Sequence, residues 1–197
     1  MLNYPMNPEY GCCWFHIPTQ NLVNSFKTDE KGLPQFSTFN NSDVKEGADF
    51  YNNTFDVRLD HTVAIPGHPW KYDPNFIYQK DWARAIPIYG HFSSLKESQH
   101  YECACFQKVP PFIASSKNTD IIRYADVLLW KAEALIELGR QNEALSIINE
   151  VRQRAANSSG MLKFNDGSFV SNYKMDIYKP GENCNWDQQF AREALRW

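Results

Sequence analysis

The stretch Ile122-Arg-Tyr-Ala-Asp-Val-Leu-Leu-Trp-Lys-Ala-Glu-Ala-Leu135 decides the fold, together with Gly139, Ala144-Leu145, Ile148-Asn149 and Val151-Arg-Gln-Arg-Ala155 after it. Ile121, Tyr124, Ala125, Leu128, Leu129, Ala132, Leu135 and Ile136 recur at three- and four-residue steps, which predicts an amphipathic helix over residues 120–138. Arg123, Lys131, Glu133 and Glu137 fall mostly off that stripe. Asn118 or Thr119 is the expected N-cap, and Gly139 supplies the left-handed residue that ends a helix. A second helix is expected over residues 140–156, with Ala144, Leu145, Ile148, Val151 and Ala155 inward. Arg152 and Arg154 then lie in its last turns, where positive charge favours the helix dipole. The tight junction makes the two helices antiparallel neighbours. Small Ala132 and Ala144 allow close approach, while Ile148 and Val151 reach toward the next unit, a tetratricopeptide-like arrangement. Such a unit needs further helices on its open face. A third helix begins at Trp186, with Phe190, Ala194 and Trp197 on the same face. It reaches Trp197 without a cap, so the chain is expected to be a fragment of a longer protein.

Outward from this hairpin, the texture changes at Pro110-Pro111. The residues before it are rich in turn formers, as in Lys31-Gly-Leu-Pro34, Pro66-Gly67 and Tyr72-Asp-Pro74. One short helix is expected over residues 20–26, capped by Thr19, with Leu22, Val23 and Phe26 at helical spacing. Strands are expected over residues 59–65 and 101–109. The fold class is therefore mostly α: a loop-rich region over 1–110 with short helices and strands, and a helical region over 111–197, together one incomplete domain.

The chain has 197 residues, 43% hydrophobic and 22% charged, enough to bury a core. Its net charge of −3 and the lack of any basic block argue against nucleic-acid binding. No apolar run reaches the length of a membrane span. Met1 to Phe15 lacks a charged segment followed by an apolar one, and Cys12-Cys13 has no hydrophobic stretch before it, so no signal peptide or lipoprotein signal is read there. Five cysteines leave at least one thiol unpaired. His100, Cys103 and Cys105 lie close together, but a structural zinc site calls for two separated ligand pairs. The two cysteines read instead as small buried hydrophobes on one face of a strand, and no metal or cofactor is expected.

Aromatic residues make up 15% of the chain. The densest polar-aromatic stretch holds His68, Trp70, Tyr72, Asn75, Tyr78 and Trp82, with Lys71, Asp73 and Gln79 between them. Rings on loops offer flat apolar faces to the C–H groups of sugars while polar neighbours take the hydroxyls. These six are the candidate ligand-binding residues, and the competing reading is that the rings wedge the loop onto the helices. Tyr10 and Trp14 are weaker candidates, and Trp130 is expected to pack. An enzyme would need a site. Asp56, Asp60, Asp81 and Glu97 offer carboxylates for glycoside hydrolysis, but no nucleophile elbow, HExxH or phosphate loop is present. His61 and His68 read as polar loop groups.

The pattern R-Y-A-D-x-L-L, then A-E-A, then A-L-x-x-I-N-x-V-R-x-R-A resembles the carboxy-terminal region of SusD/RagB proteins. Pro18 to Phe26, Asp56-Val-Arg-Leu-Asp-His-Thr62 with Pro66-Gly67, and Ala191-Arg-Glu-Ala-Leu-Arg196 resemble the same family in the same order. Val57 stands where the family usually carries proline. The resemblance implies a non-catalytic protein that binds an oligosaccharide or other nutrient and caps a SusC-like TonB-dependent transporter. It also implies an outer-membrane, cell-surface location in Bacteroidetes-type bacteria, through an amino-terminal lipid anchor that this chain does not contain. The alternative is a helical-repeat adaptor that grips a peptide in the helix pair, and a glycoside hydrolase stands third.

Overall fold

The structure is a computed structural model that describes residues 4–11, 14–96, 98–109 and 112–197. From the amino terminus come α1 (Gln20–Asn24), β1 (Lys27–Thr28), α2 (Asp49–Asn52), β2 (Thr54–Phe55), α3 (Arg58–Thr62) and β3 (Val63–Ala64). Then follow β4 (Pro69–Trp70), β5 (Asp73–Ile77), α4 (Ile86–Tyr89), β6 (Ser93–Ser94), β7 (Phe106–Val109) and β8 (Phe112–Ser115). Three longer helices complete the chain: α5 (Tyr124–Glu137), α6 (Gln141–Ala156) and α7 (Gln188–Arg196). Helix takes up 35% of the residues and strand 15%. The strands pair antiparallel, two by two: β1 with β2, β3 with β6, β4 with β5 and β7 with β8. No helix among the described residues is long and apolar enough to cross a membrane. The Pro110-Pro111 break lies outside the described residues.

The α5–α6 hairpin forms where the periodicity puts it. Ala132 and Ala144 are both wholly buried in one cluster with Ile136 and Ile148. Gly139, at φ +74°, closes the turn. Its N–H donates to Ile136 O and the Arg140 N–H to Leu135 O, the paired bonds of a Schellman motif. The helix starts at Tyr124 and not at residue 120, because Arg123 takes the capping position. Its N–H donates to Asp126 Oδ2 at 2.8 Å while its guanidinium grips the same carboxylate. The upstream end of the predicted stripe therefore does not pack: Ile121 is 90% exposed and Tyr124 75%. Trp130, expected in the core, is also exposed. Helix α7 is capped by Asp187, which accepts from the Phe190 N–H, and lies against both partners. Trp186 Nε1–H donates to Gln141 O, Gln188 to Ile136 O, and Arg192 forms a forked pair with Glu137.

Arg152 departs furthest from its expected place. It is not a solvated cation at a helix end but is 4% exposed. Its Nε–H and Nη2–H donate to Asp176 O at 2.9 and 2.7 Å, and Nη2–H also donates to Gly32 O at 3.2 Å. The guanidinium lies over the Tyr178 ring, 4.6 Å from its centre. Gly32 sits at φ +76°, and a side-chain carbon there would come within 2.8 Å of Asp176 N. Only glycine lets these two strands of backbone approach closely enough to share one guanidinium.

In the loop-rich half, two expected strands change character. Residues 59–62 are helical in α3, and only Val63–Ala64 pair as strand. Asp56 causes this: its Oδ1 accepts the Arg58 N–H and its carbonyl the Leu59 N–H, which nucleates a turn. The second strand is confined to Phe106–Val109. Before it, Cys103 and Cys105 are joined in a disulfide and half-buried, so they are not separate core hydrophobes. Cys12 and Cys13 lie outside the described residues. The expected helix after Thr19 is present over Gln20–Asn24, with Thr19 Oγ1 accepting from the Leu22 N–H.

Three substitutions test this account. Arg152→Met keeps the packing but orphans the Asp176 carbonyl, at about 1–3 kcal/mol, and takes one of two donors from Gly32 O, which keeps the Asp176 N–H. Chemical denaturation should therefore show a loss of about 1–3 kcal/mol, and a loss below about 0.5 kcal/mol would contradict the role given to the guanidinium. Val57 sits at φ −55°, a value a proline ring accepts. Val57→Pro should melt within a few degrees of the parent, whereas proline at Leu59 should unfold α3.

Candidate functional site

A cavity of about 1080 Å³ lies between the loop-rich half and the helices. Its wall includes the α1 end, α3, the turn between β4 and β5, the start of α5, the end of α6 and Trp197. At one side, Asp56 and Arg58 form a forked ion pair, with Nη2 to Oδ2 at 2.6 Å and Nε to Oδ1 at 2.9 Å. Burial alone would raise the Asp56 carboxyl, but the Arg58 guanidinium outweighs it and holds the group below the usual carboxylate range.

The β4–β5 turn is the strained part of this wall. Trp70 pairs with Asp73, so the loop is only Lys71 and Tyr72. Both have positive φ, 52° and 69°. That is the geometry of a type I′ turn, which ordinarily carries Asn-Gly. Each bulky residue there costs about 1–2 kcal/mol. The side chains hold the conformation: Lys71 Nζ donates to Leu95 O, and Tyr72 hydroxyl to His61 Nδ1 at 2.8 Å. On the other side of the imidazole, His61 Nε2–H donates to Ser158 Oγ at 2.7 Å. Ser158 spends its own proton on Ala155 O at 2.6 Å. A chain of hydrogen bonds thus runs from the strained turn through α3 to the end of α6.

Behind His61 a buried carboxylate anchors α3. Asp60 Oδ1 accepts from His68 Nδ1–H at 2.6 Å, and Oδ2 accepts from the Ser171 and Tyr173 hydroxyls at 2.8 and 2.7 Å. Burial, and then the Asp60 charge, push the Tyr173 phenol far above its ordinary value. The network ties the 56–68 segment to the 171–173 segment, with both carboxylate oxygens engaged.

Of the six residues singled out from sequence, Tyr72 alone lines the cavity, with its ring 38% exposed. Trp70 and Tyr78 are wholly buried, stacked 5.8 Å apart, with Tyr10 against Trp70. His68 is buried on Asp60. Trp82 is half-buried against Phe76, and Asn75 is exposed and accepts from Asn165. The expectation of Trp70 as a solvent-facing platform is thereby corrected: the alternation of the short strands turns its ring inward with Tyr78. Tyr10 and Trp14 are core residues as well. Asp56 and Asp60, offered as hydrolytic carboxylates, are engaged as described. Asp81 stands exposed on a short 3-10 turn over Lys80–Trp82, and Glu97 lies outside the described residues.

His61, Lys71 and Ser158 were missed as site residues. They are 97 positions apart at the extreme, and a histidine inside a short helix carries no periodic signal. His100 lies between Asp73, 3.0 Å from Nε2, and Glu102, 4.0 Å from Nδ1. The two carboxylates flank different ring nitrogens in these ion pairs, yet one ligand atom from each of the three residues lies within 4.8 Å of the others, a spacing that could hold a metal ion.

The sequence profile of the SusD family matches residues 2–195. A SusD-like protein, P38 of Formosa agariphila, is 50% identical over 36 residues, 18% of this chain and 7% of that protein's length.

Burial, followed by the nearby Lys96 charge, lowers the His61 pKa below its ordinary 6.5. The unfolded chain therefore takes a proton that the folded one resists, and stability present above pH 6.5 is lost as pH falls through the lower folded value. His61→Gln should lose less stability than the parent when melts at neutral and mildly acidic pH are compared. Parallel profiles would remove His61 from the account.

Proposed function

Because the chain belongs to the SusD family, we propose that it is the non-catalytic glycan- or nutrient-binding component of a SusC/SusD-like TonB-dependent uptake system at the outer-membrane surface. The family match along residues 2–195 carries this reading. In it, the loop-rich region over 1–110 is the ligand side, and the helical region over 111–197 is a TPR-type scaffold. The partner is a SusC-like transporter, and the anchor is an amino-terminal lipid.

The cavity supports the ligand side of the proposal. It is large enough for a short oligosaccharide, and its wall joins a ring held edge-on by His61 to polar and charged groups. Sugar binding asks for an apolar face plus fixed hydrogen-bonding groups, and the Tyr72–His61–Ser158 chain provides both. Asp56 and Asp60, two of the carboxylates offered for hydrolysis, are both engaged in ion pairs and hydrogen bonds.

A second reading, a helical-repeat adaptor, draws on the exposed α5 face. Tyr124, Val127 and Trp130 on α5, and Ile122 just before it, are exposed, and apolar side chains of this kind fit a partner helix.

Binding and stability separate these roles. Tyr72→Ala should weaken oligosaccharide binding by about tenfold, the effect of about 1.4 kcal/mol, with a melting temperature equal to or above the parent's. Trp70→Ala should instead lose about 3–5 kcal/mol of stability. Full glycan affinity in Tyr72→Ala, measured by titration calorimetry, would move the site elsewhere. Loss of peptide binding on Trp130→Ala without any glycan binding in the parent would favour the adaptor.

A further inference from the structure

We propose that the cavity selects an acidic oligosaccharide, its carboxylate or sulfate groups met by the basic side chains that share the cavity wall with the Lys71–Tyr72 turn. This rests on the reading of the cavity as the ligand site and adds the ligand's charge class.

The first observation is charge segregation. The chain as a whole is acidic, with 20 basic against 23 acidic residues. The described cavity wall reverses this, with eight Lys and Arg side chains against three Asp. Two of the three, Asp56 and Asp126, are already held by Arg58 and Arg123. Lys117, Arg154 and Arg196 come from three separate segments and are exposed at the same wall. A concave surface of one sign concentrates field lines and favours an anion there over the net-acidic remainder of the chain. A neutral sugar can take hydrogen bonds from such a lining but gains nothing from its charge.

The second observation is the turn. Asn-Gly at 71–72 would relax the backbone, yet a lysine and a tyrosine occupy it in the left-handed region. Strain of this kind persists where the surroundings over-determine it, and it collects at binding sites. Here it sets a ring beside the basic wall, Tyr72 for the sugar face and the cations for its acidic substituents. Charge and stacking are the two features that an acidic sugar presents together.

The test uses the purified protein and titration calorimetry with three oligosaccharides of equal length: a neutral galacto-oligosaccharide, an oligogalacturonate and a sulfated galacto-oligosaccharide. One or both acidic ligands should bind at least about tenfold tighter than the neutral one at about 0.05 M salt, and that advantage should shrink at about 0.5 M. Which acidic ligand binds identifies carboxylate or sulfate as the recognised group. Lys117→Gln with Arg154→Gln should remove most of the preference while the melting temperature holds. Lys71→Asn with Tyr72→Gly should raise the melting temperature and lower affinity for the acidic ligand. Equal affinity for neutral and acidic ligands overturns the charge selection but leaves the cavity as a glycan site. No binding of any of the three overturns the glycan reading itself. Inorganic tripolyphosphate bound as tightly as the best oligosaccharide also overturns the proposal, because the wall is then an indiscriminate anion trap.

Discussion

A charged guanidinium buried under main-chain carbonyls is the constraint on which the two halves of this protein depend. Arg152 projects from α6 into the loop-rich half and bonds Asp176 O and Gly32 O, with the Tyr178 ring beneath it. Taking such a cation out of water is costly unless its hydrogen bonds are all met. The surrounding backbone must therefore hold its carbonyls in place, and Gly32 must lack a side chain for the segments to meet. Asn149 on the same helix exchanges bonds with Tyr178 N–H and O and extends this seam. Helix position and loop position are thereby set by one register along α6.

The hairpin was legible because its signal is local and periodic. Small Ala132 and Ala144 at the contact, and Gly139 at the turn, each follow from a rule about a single helix or a single turn. The family pattern was legible for the same reason, since V-R-x-R-A sits inside that periodicity. What residue type cannot tell is which of two arginines within a single turn points inward. Arg152 and Arg154 have equal charge and similar place, and only the Gly32 and Asp176 carbonyls, 120 and 24 residues away, separate them. Trp130 was misread for a related cause. A tryptophan in an amphipathic helix reads as core, but it lies on a face that nothing described here covers.

The candidate site was less legible than the fold. Trp70 and Tyr78 do pack, but not by wedging the loop onto the helices: they sit in a separate core with Tyr4, Tyr10, Ala64 and Leu95. The difference between Tyr72 and Trp70 is two residues of sequence and a reversal of direction at a tight turn. No property of the residue types announces that reversal, because Lys-Tyr is not a turn-forming pair. The polar groups that complete the wall come from α3 and from the end of α6, far apart in sequence. The Asp56–Arg58 pair is the exception: its spacing is short, and its motif was seen, though its effect in turning the next residues into helix was not.

The hydrogen-bond chain from Tyr72 to Ser158 has a fixed polarity. Ser158 gives its only proton to Ala155 O, so toward His61 it can only accept. His61 must then carry its proton on Nε2, and Nδ1 is left as a bare lone pair. Tyr72 answers that lone pair with its phenolic hydrogen. Its oxygen keeps lone pairs and no hydrogen for anything arriving from the cavity. The phenol oxygen therefore reads as a pure acceptor, welcoming a sugar hydroxyl that gives a proton and leaving carboxylate or sulfate oxygens to the basic side chains of the wall. A single backbone carbonyl at the end of α6 thus dictates, through three side chains, the kind of atom that this one hydroxyl will meet.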